Sequence, residues 1–492
     1  VTNMLLVLPT LTAIISTIVL LFCWFKPVYQ RVFNLIGTLV FFIFSLLLFL
    51  NVRHLGYLSL NIGGWSAPYG ISLCADKLGA LMLLLTAIVG LLIAIYSFSD
   101  IDQADIHAGF YPAFQVLLVG LAGVFLTADL FNLYVWFEVI LISSFILLIL
   151  RGEKFQLEAG IKYAVLNLVA TLFLLTAIAF LYAQTGTLNM ADLSVRIASN
   201  MHPGFIRVIS VFFVIAFGMK AAVFPLYFWL PASYHTARHG VTALFAALLS
   251  KVGIYALLRS FTLLFPSSFS LSHELLLILG LLGLILGLMG AIAQTRYRKV
   301  LAFLLLAHIG FILMGLSLMN RWAITGSVYY MMQHILLIAM LFMMAGLIKR
   351  YRQTGISLFR TRPGLSALFF IAALALSGVP PFSGFWPKLA LINGAISAGF
   401  AWLSLVFLSS GLVTLYVMCR LWNNVFLREV KYVEASSLIS PQAMWASVLM
   451  CFTLVLILSL DPAPFYHFSA QIAGQLLHPQ GYIHQLLGGA ND

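Results

Sequence analysis

Apolar residues run through this chain in blocks separated by polar residues, glycines and prolines. The blocks fall near residues 4–25, 33–50, 77–97, 110–129, 131–150, 162–183, 207–229, 241–264, 274–294, 299–318, 324–348, 365–398, 401–426 and 441–460. Twenty helical residues rise about 30 Å, the thickness of a bilayer's hydrocarbon layer. The pattern therefore predicts an all-α polytopic membrane protein of about 14 transmembrane helices, in one membrane domain over residues 1–492. Helix 7 and helix 12, counted along the chain, carry Gly and Pro that should interrupt them. The turn-rich stretch 51–76, with Asn61-Ile-Gly-Gly-Trp-Ser-Ala-Pro68, predicts a hairpin outside the bilayer. No basic region or small-residue cleavage site marks the N-terminus, so 4–25 is expected to be a retained first helix.

Composition agrees. Hydrophobic residues make up 63% of the 492 and charged residues only 8%, which excludes a soluble domain of this size. The net charge of +12 could suggest nucleic-acid binding, but the basic residues form no patch with interleaved aromatics and lie mostly in short loops. The loops after helices 1, 5, 7, 9, 11 and 13 hold Lys26 and Arg31; Arg151, Lys154 and Lys162; Arg238; Arg296, Arg298 and Lys299; Lys349, Arg350, Arg352, Arg360 and Arg362; and Arg420, Arg428 and Lys431. The even-numbered loops hold Arg53, Arg196, Arg207, Arg259 and Arg321. The loop after helix 3 is acidic instead (Asp100, Asp102, Asp105). The positive-inside rule makes the odd loops cytoplasmic and turns both termini outward. Cys23, Cys74, Cys419 and Cys451 are far apart with no CxxC, so neither a disulfide framework nor a metal site is indicated. Gly280, Gly283, Gly287 and Gly290 form a small helix face for close packing rather than a phosphate loop. No haem, flavin, iron–sulfur or nucleotide signature is present, so no cofactor is expected.

Candidate chemistry lies in the charges inside the apolar blocks: Glu138, Lys220, Lys251 and Lys388. Each costs roughly 2.5–3.5 kcal/mol at the centre of a membrane helix, so these groups must face water or one another. Glu138, Lys251, His308 and His334 all sit near the middle of their spans, and Lys220 and Lys388 sit beside the breaks. The expectation is a belt of titratable groups at mid-bilayer depth that relays protons. A carboxylate near Lys220 holds it protonated, and its withdrawal lets desolvation release the proton. His235, on the segment joining helices 7 and 8, is a candidate relay between Lys220 and Lys251. Asp129 reads equally as a helix cap or a functional group. The stretches Gly218–Pro231 and Ser377–Lys388 each couple a lysine with helix breakers, the mark of an inverted-repeat transporter. Helices 4–8 (110–264) and helices 9–13 (274–426) are expected to be the two repeats.

These segments resemble the antiporter-like subunits shared by Mrp multisubunit cation/proton antiporters and the membrane arm of respiratory complex I. The resemblance rests on Asp129-Leu-Phe-Asn-Leu-Tyr-Val-Trp-Phe-Glu138, Lys220-Ala-Ala-Val-Phe-Pro-Leu, Leu249-Ser-Lys-Val-Gly-Ile-Tyr-Ala-Leu-Leu-Arg259 and Gly378-Val-Pro-Pro-Phe-Ser-Gly-Phe-Trp-Pro-Lys388. It implies that Glu138 pairs with Lys220, that Lys251 is the helix 8 relay group, and that Lys388 stands near the outer half-channel. Lysines in both helix 8 and helix 12 resemble the D-type Mrp subunit. The implied function is proton conduction in a heteromeric Na+/H+ antiporter of the bacterial cell (inner) membrane, with the other membrane subunits as partners. The alternatives are a proton-pumping subunit of a complex I-like NADH-quinone oxidoreductase or membrane-bound hydrogenase, and a paralogue that has lost transport. Two departures from the family pattern remove polar groups from the second half of the path. Ile338 stands four residues after His334 where the family usually has lysine, and Leu304 and Leu305 replace serines.

Overall fold

A computed structural model of the chain describes residues 2–200, 202–265, 270–352, 357–429 and 440–488 and places a helix in every one of the apolar blocks. Among the described residues, eleven helices are long and apolar enough to cross a membrane, and Leu8–Phe22, Phe110–Leu126 and Pro363–Ser377 are shorter apolar ones. In chain order the elements are α1 (Leu8–Phe22), α2 (Pro27–Leu55), strands β1 (Leu58–Asn61) and β2 (Ser72–Ala75), α3 (Lys77–Asp100), α4 (Gln103–His107), α5 (Phe110–Leu126), α6 (Leu130–Leu148), α7 (Lys154–Thr185), α8 (Met190–Asn200), α9 (Pro203–Ala221) and α10 (Trp229–Ser233). Then come α11 (His239–Leu263), α12 (Ser270–Ala293), α13 (Tyr297–Ser317), α14 (Arg321–Tyr351), α15 (Leu358–Thr361), α16 (Pro363–Ser377), α17 (Phe385–Ser397), α18 (Trp402–Leu427), α19 (Gln442–Leu460), α20 (Ala463–Leu477) and α21 (Gln480–Leu487). Lys431, counted above with a basic loop, lies outside the described residues.

Local chemistry sets the boundaries. Asp76, Asp129 and Asn320 each accept from the backbone amide three residues on, capping α3, α6 and α14. Asp129 is thus a cap. Pro27, Pro203 and Pro363 begin α2, α9 and α16, where a missing N–H costs nothing. The turn-rich segment forms the antiparallel β1–β2 hairpin, Leu58 opposite Ala75.

α11 and α14 are the buried axis, enclosed by the other helices along their whole apolar length. Apolar burial cannot drive association in lipid, so close packing must, and small residues permit it. A Cβ at Gly287 would lie 2.5 Å from the Ala307 amide nitrogen of α13, and one at Gly290 would overlap the Phe303 ring. Gly283 faces Phe224 instead, so three of the four glycines make the α12–α13 seam.

The two ends of the bundle are held by different charges. At one end Arg151 and Arg238 both pair with Asp102 and with Asp105, so the acidic loop after α3 lies beside two arginines of the basic loops. At the other, Arg259 is no loop residue. It lies buried in the last turn of α11, 2.6 Å from Asp76, with the Tyr482 ring 4.9 Å from its guanidinium. The amphipathic helices α20 and α21, absent from the sequence expectation, strap this end. Gln475 accepts from the Lys77 amide and donates to the Gly56 carbonyl, and Gln485 donates to Ser59. Their apolar residues are too sparse to read as a span.

Candidate functional site

Two of the four charged groups stand at helix breaks, because a break exposes backbone carbonyls that an ammonium can meet. α9 ends at Ala221, one residue after Lys220, its C-cap Ala222 has φ +58°, and the Trp229 indole closes the gap by donating to the Met219 carbonyl at 2.8 Å. Lys220 is buried, with Nζ 4.6 Å from the centre of the Phe137 ring. It borders a cavity of about 20 Å³ that Tyr163, Asn167 and Trp229 also line, enough room for one water. Glu138 follows Phe137 on α6. It is half-buried, and its Oε1 has no hydrogen-bond partner among the described residues. No ion pair joins Glu138 to Lys220, so the expected pair is present as neighbours rather than in contact.

Lys388 mirrors this at the second break. Its Nζ donates to the Ser377 carbonyl at 2.7 Å and lies 5.2 Å from the centre of the Phe311 ring. Gly378 has φ +81°, and a Cβ there would come within 2.7 Å of the lysine's Cδ. Glycine is required both by the backbone and by the side chain threaded past it.

Lys251 sits mid-helix on α11 and is fully buried. The turn just before it, Phe245–Leu249, is a π-helix, and Lys251 Nζ donates to the Ala246 carbonyl within that turn at 2.7 Å. Such widened turns recur at functional sites because they leave carbonyls free for side chains.

Between the last two lysines lies a polar cluster on α13 and α14. The His308 and His334 rings are 5.1 Å apart, and Tyr330 stacks on His334 at 5.8 Å and on Phe311 at 5.4 Å. Both imidazoles are fully buried, and none of their nitrogens has a hydrogen-bond partner among the described residues. The same holds for the Tyr330 hydroxyl and both amide atoms of Gln333. Lys251 and Lys388 both lie within electrostatic reach of the two imidazoles. Ile338, Leu304 and Leu305 are buried and apolar beside them.

Sequence reasoning missed Tyr330, Gln333, Tyr163 and Asn167. Gln333 and Asn167 had a signal, since each is an amide alone in an apolar run. The tyrosines had none, because only packing shows which side they face.

His235 stands apart. Its Nδ1 lies 3.0 Å from the Pro231 carbonyl, and it lines a cavity of about 550 Å³ with residues from the starts and ends of α13 and α14. It touches no polar atom of Lys220 or Lys251, because the connector after α10 carries it toward the basic end. Burial pushes its pKa down, the Pro231 hydrogen bond opposes this, and Lys299, Arg298 and Arg296 add to the lowering.

Comparison with known proteins agrees with this architecture. The signature of the family described as NADH:quinone oxidoreductase/Mrp antiporter, transmembrane, matches residues 127–414. The D-type subunit of the Na(+)/H(+) antiporter of Alkalihalophilus pseudofirmus is 38% identical over 99% of both chains. Its counterpart in Bacillus subtilis is 37% identical, again over 99% of both. Among solved structures, a chain of the Mrp complex from Dietzia sp. superposes with a TM-score of 0.90 at 25% identity, covering 99% of both chains. A chain of an archaeal membrane-bound sulfane sulfur reductase gives a TM-score of 0.87 at 27% identity, with 99% of each covered.

Proposed function

We propose, for a chain that belongs to the NADH:quinone oxidoreductase/Mrp antiporter family, that it is the proton-conducting D-type subunit of a heteromeric Na+/H+ antiporter in a bacterial cell membrane. It is a multi-pass transporter subunit, and its partners are the other membrane subunits of the complex. The proton path runs along Glu138, Lys220, Lys251, the His334–His308 pair and Lys388, with water between them.

The observation that carries this reading is the run of unmatched polar atoms on α13 and α14. A buried donor or acceptor without a partner costs about 1–3 kcal/mol, and seven such atoms from His308, His334, Tyr330 and Gln333 are tolerable where water passes. They fill the stretch that Ile338, Leu304 and Leu305 leave apolar, which supports conduction over the reading of a paralogue without transport. Full-length similarity to two D-type antiporter chains favours the antiporter over a redox-driven pump. Glu138 and Lys220 act as a switch: closing the pair fixes the lysine's proton, and opening it frees that proton to move on to Lys251. Residues 110–264 and 274–426 act as two inverted repeats, each with one broken helix and one lysine beside the break. His235 belongs to the basic end, not to the step from Lys220 to Lys251.

The test is sodium-dependent proton exchange by the assembled complex in inverted vesicles. Lys251→Ala and Glu138→Ala should each lower it at least tenfold at normal assembly. Full exchange in both variants overturns the relay.

A further inference from the structure

The 550 Å³ cavity at the basic end serves no step of the relay, yet five of its ten lining residues are arginine or lysine. Arg296, Arg298 and Lys299 reach it from the start of α13, and Lys349 and Arg352 from the end of α14. No carboxylate is among its described lining residues. Asp100, the last residue of α3, accepts from the Gly240 amide at 2.9 Å and faces His239 Nδ1 at 3.5 Å, so it is already engaged. Arg298 and Arg352 are fixed in place by hydrogen bonds to the Ala237 and Asn424 carbonyls. Arg352 Nε is buried with no partner among the described residues.

Independent of these side chains, α13 begins at this cavity without a side-chain cap: its N-cap residue, Arg296, accepts nothing. The free amides of its first turn and the positive end of its dipole therefore add to the same field. Two unit charges 4 Å apart repel by about 4 kcal/mol at an effective dielectric constant of 20, so this concentration of cations disfavours sodium or hydronium and calls for an anion. One wall is apolar, made by Ala345 and Ile348 of α14. A cationic cleft with an apolar wall between the ends of membrane helices is suited to a phosphate carried on an acyl glycerol, the headgroup of an anionic lipid.

We propose, independently of the relay, that this cavity is a binding site for a phosphate anion, held by Arg296, Arg298, Lys299, Lys349 and Arg352 together with the α13 N-terminus. Its occupant neutralises the field on His235, whose Nε2 is the ring nitrogen left to exchange a proton.

The site can be read on the full chain in nanodiscs containing spin-labelled phosphatidylglycerol or spin-labelled phosphatidylcholine, with inorganic phosphate titrated separately in detergent. The Lys299 and Lys349 side chains make no hydrogen bond among the described residues, so K299Q/K349Q removes charge without removing a structural contact, and K299R/K349R keeps the charge. Each lost charge should weaken binding about fivefold. A phosphatidylglycerol preference that K299Q/K349Q abolishes and K299R/K349R retains supports a lipid headgroup. Binding of inorganic phosphate that follows the same order, without a lipid preference, supports a free phosphate. Equal behaviour of wild type and K299Q/K349Q in both arms overturns the site.

Discussion

Lys388 reaches back across the break between α16 and α17 to donate a hydrogen bond to the Ser377 carbonyl at 2.7 Å. The contact ties the ammonium to the negative end of the α16 dipole and makes the two half-helices one unit. It also explains why Gly378 stands where it does, since any Cβ there would strike the lysine stem.

Gly378→Ala should therefore act on transport through Lys388. The substitution strains a backbone at φ +81° and displaces the side chain. Exchange by the assembled complex should fall about tenfold or more. Gly364→Ala, where an added methyl meets nothing within 4 Å, should leave exchange unchanged in the same vesicles.

Replacing both imidazoles by phenylalanine separates stability from conduction. His308 and His334 bury four nitrogens with no partners among the described residues, so the apolar pair removes desolvation costs rather than adding them. Thermal unfolding of the double variant in detergent should be unchanged or higher, while exchange falls at least tenfold. Full exchange in the double variant would remove the imidazoles from the path.

The Asp76–Arg259 pair predicts the opposite pattern. Asp76→Asn keeps a competent cap for α3 but leaves the guanidinium buried and unpaired, a loss of about 3–5 kcal/mol. A thermal melt should show a clear fall, and Asp76→Asn with Arg259→Met should recover much of it. Equal melts of wild type and Asp76→Asn would mean that the guanidinium finds water.

Asp105 should make stability depend on pH. Burial pushes its carboxyl up to about 6, against the Arg151 hydrogen bond, with the Asp102 charge adding to the rise. A raised carboxyl binds its proton more tightly folded than unfolded, so its contribution to stability is greatest at low pH and is lost as pH climbs from about 4 to about 6. Relative to Asp105→Asn, the wild-type melting temperature should decline across that window and level off above it. A constant difference between the two would show that Arg151 and Arg238 cancel the burial.

Much of this molecule is written in one dimension. Helices in lipid must satisfy their own backbone, so twenty apolar residues suffice to locate a span, and a lysine among them is costly enough to mark itself. That is why Glu138, Lys220, Lys251, Lys388 and both breaks could be read directly. Pairing obeys a different rule: which side chains meet depends on helix rotation and packing, to which hydropathy is blind. Tertiary structure alone separated Glu138 from Lys220, stacked Tyr330 on His334, moved Arg259 from a loop into a buried ion pair and sent His235 to the basic end. It also folded two amphipathic helices back across the Asp76 end, since a helix lying along a surface needs only one apolar side and leaves no long apolar block to find.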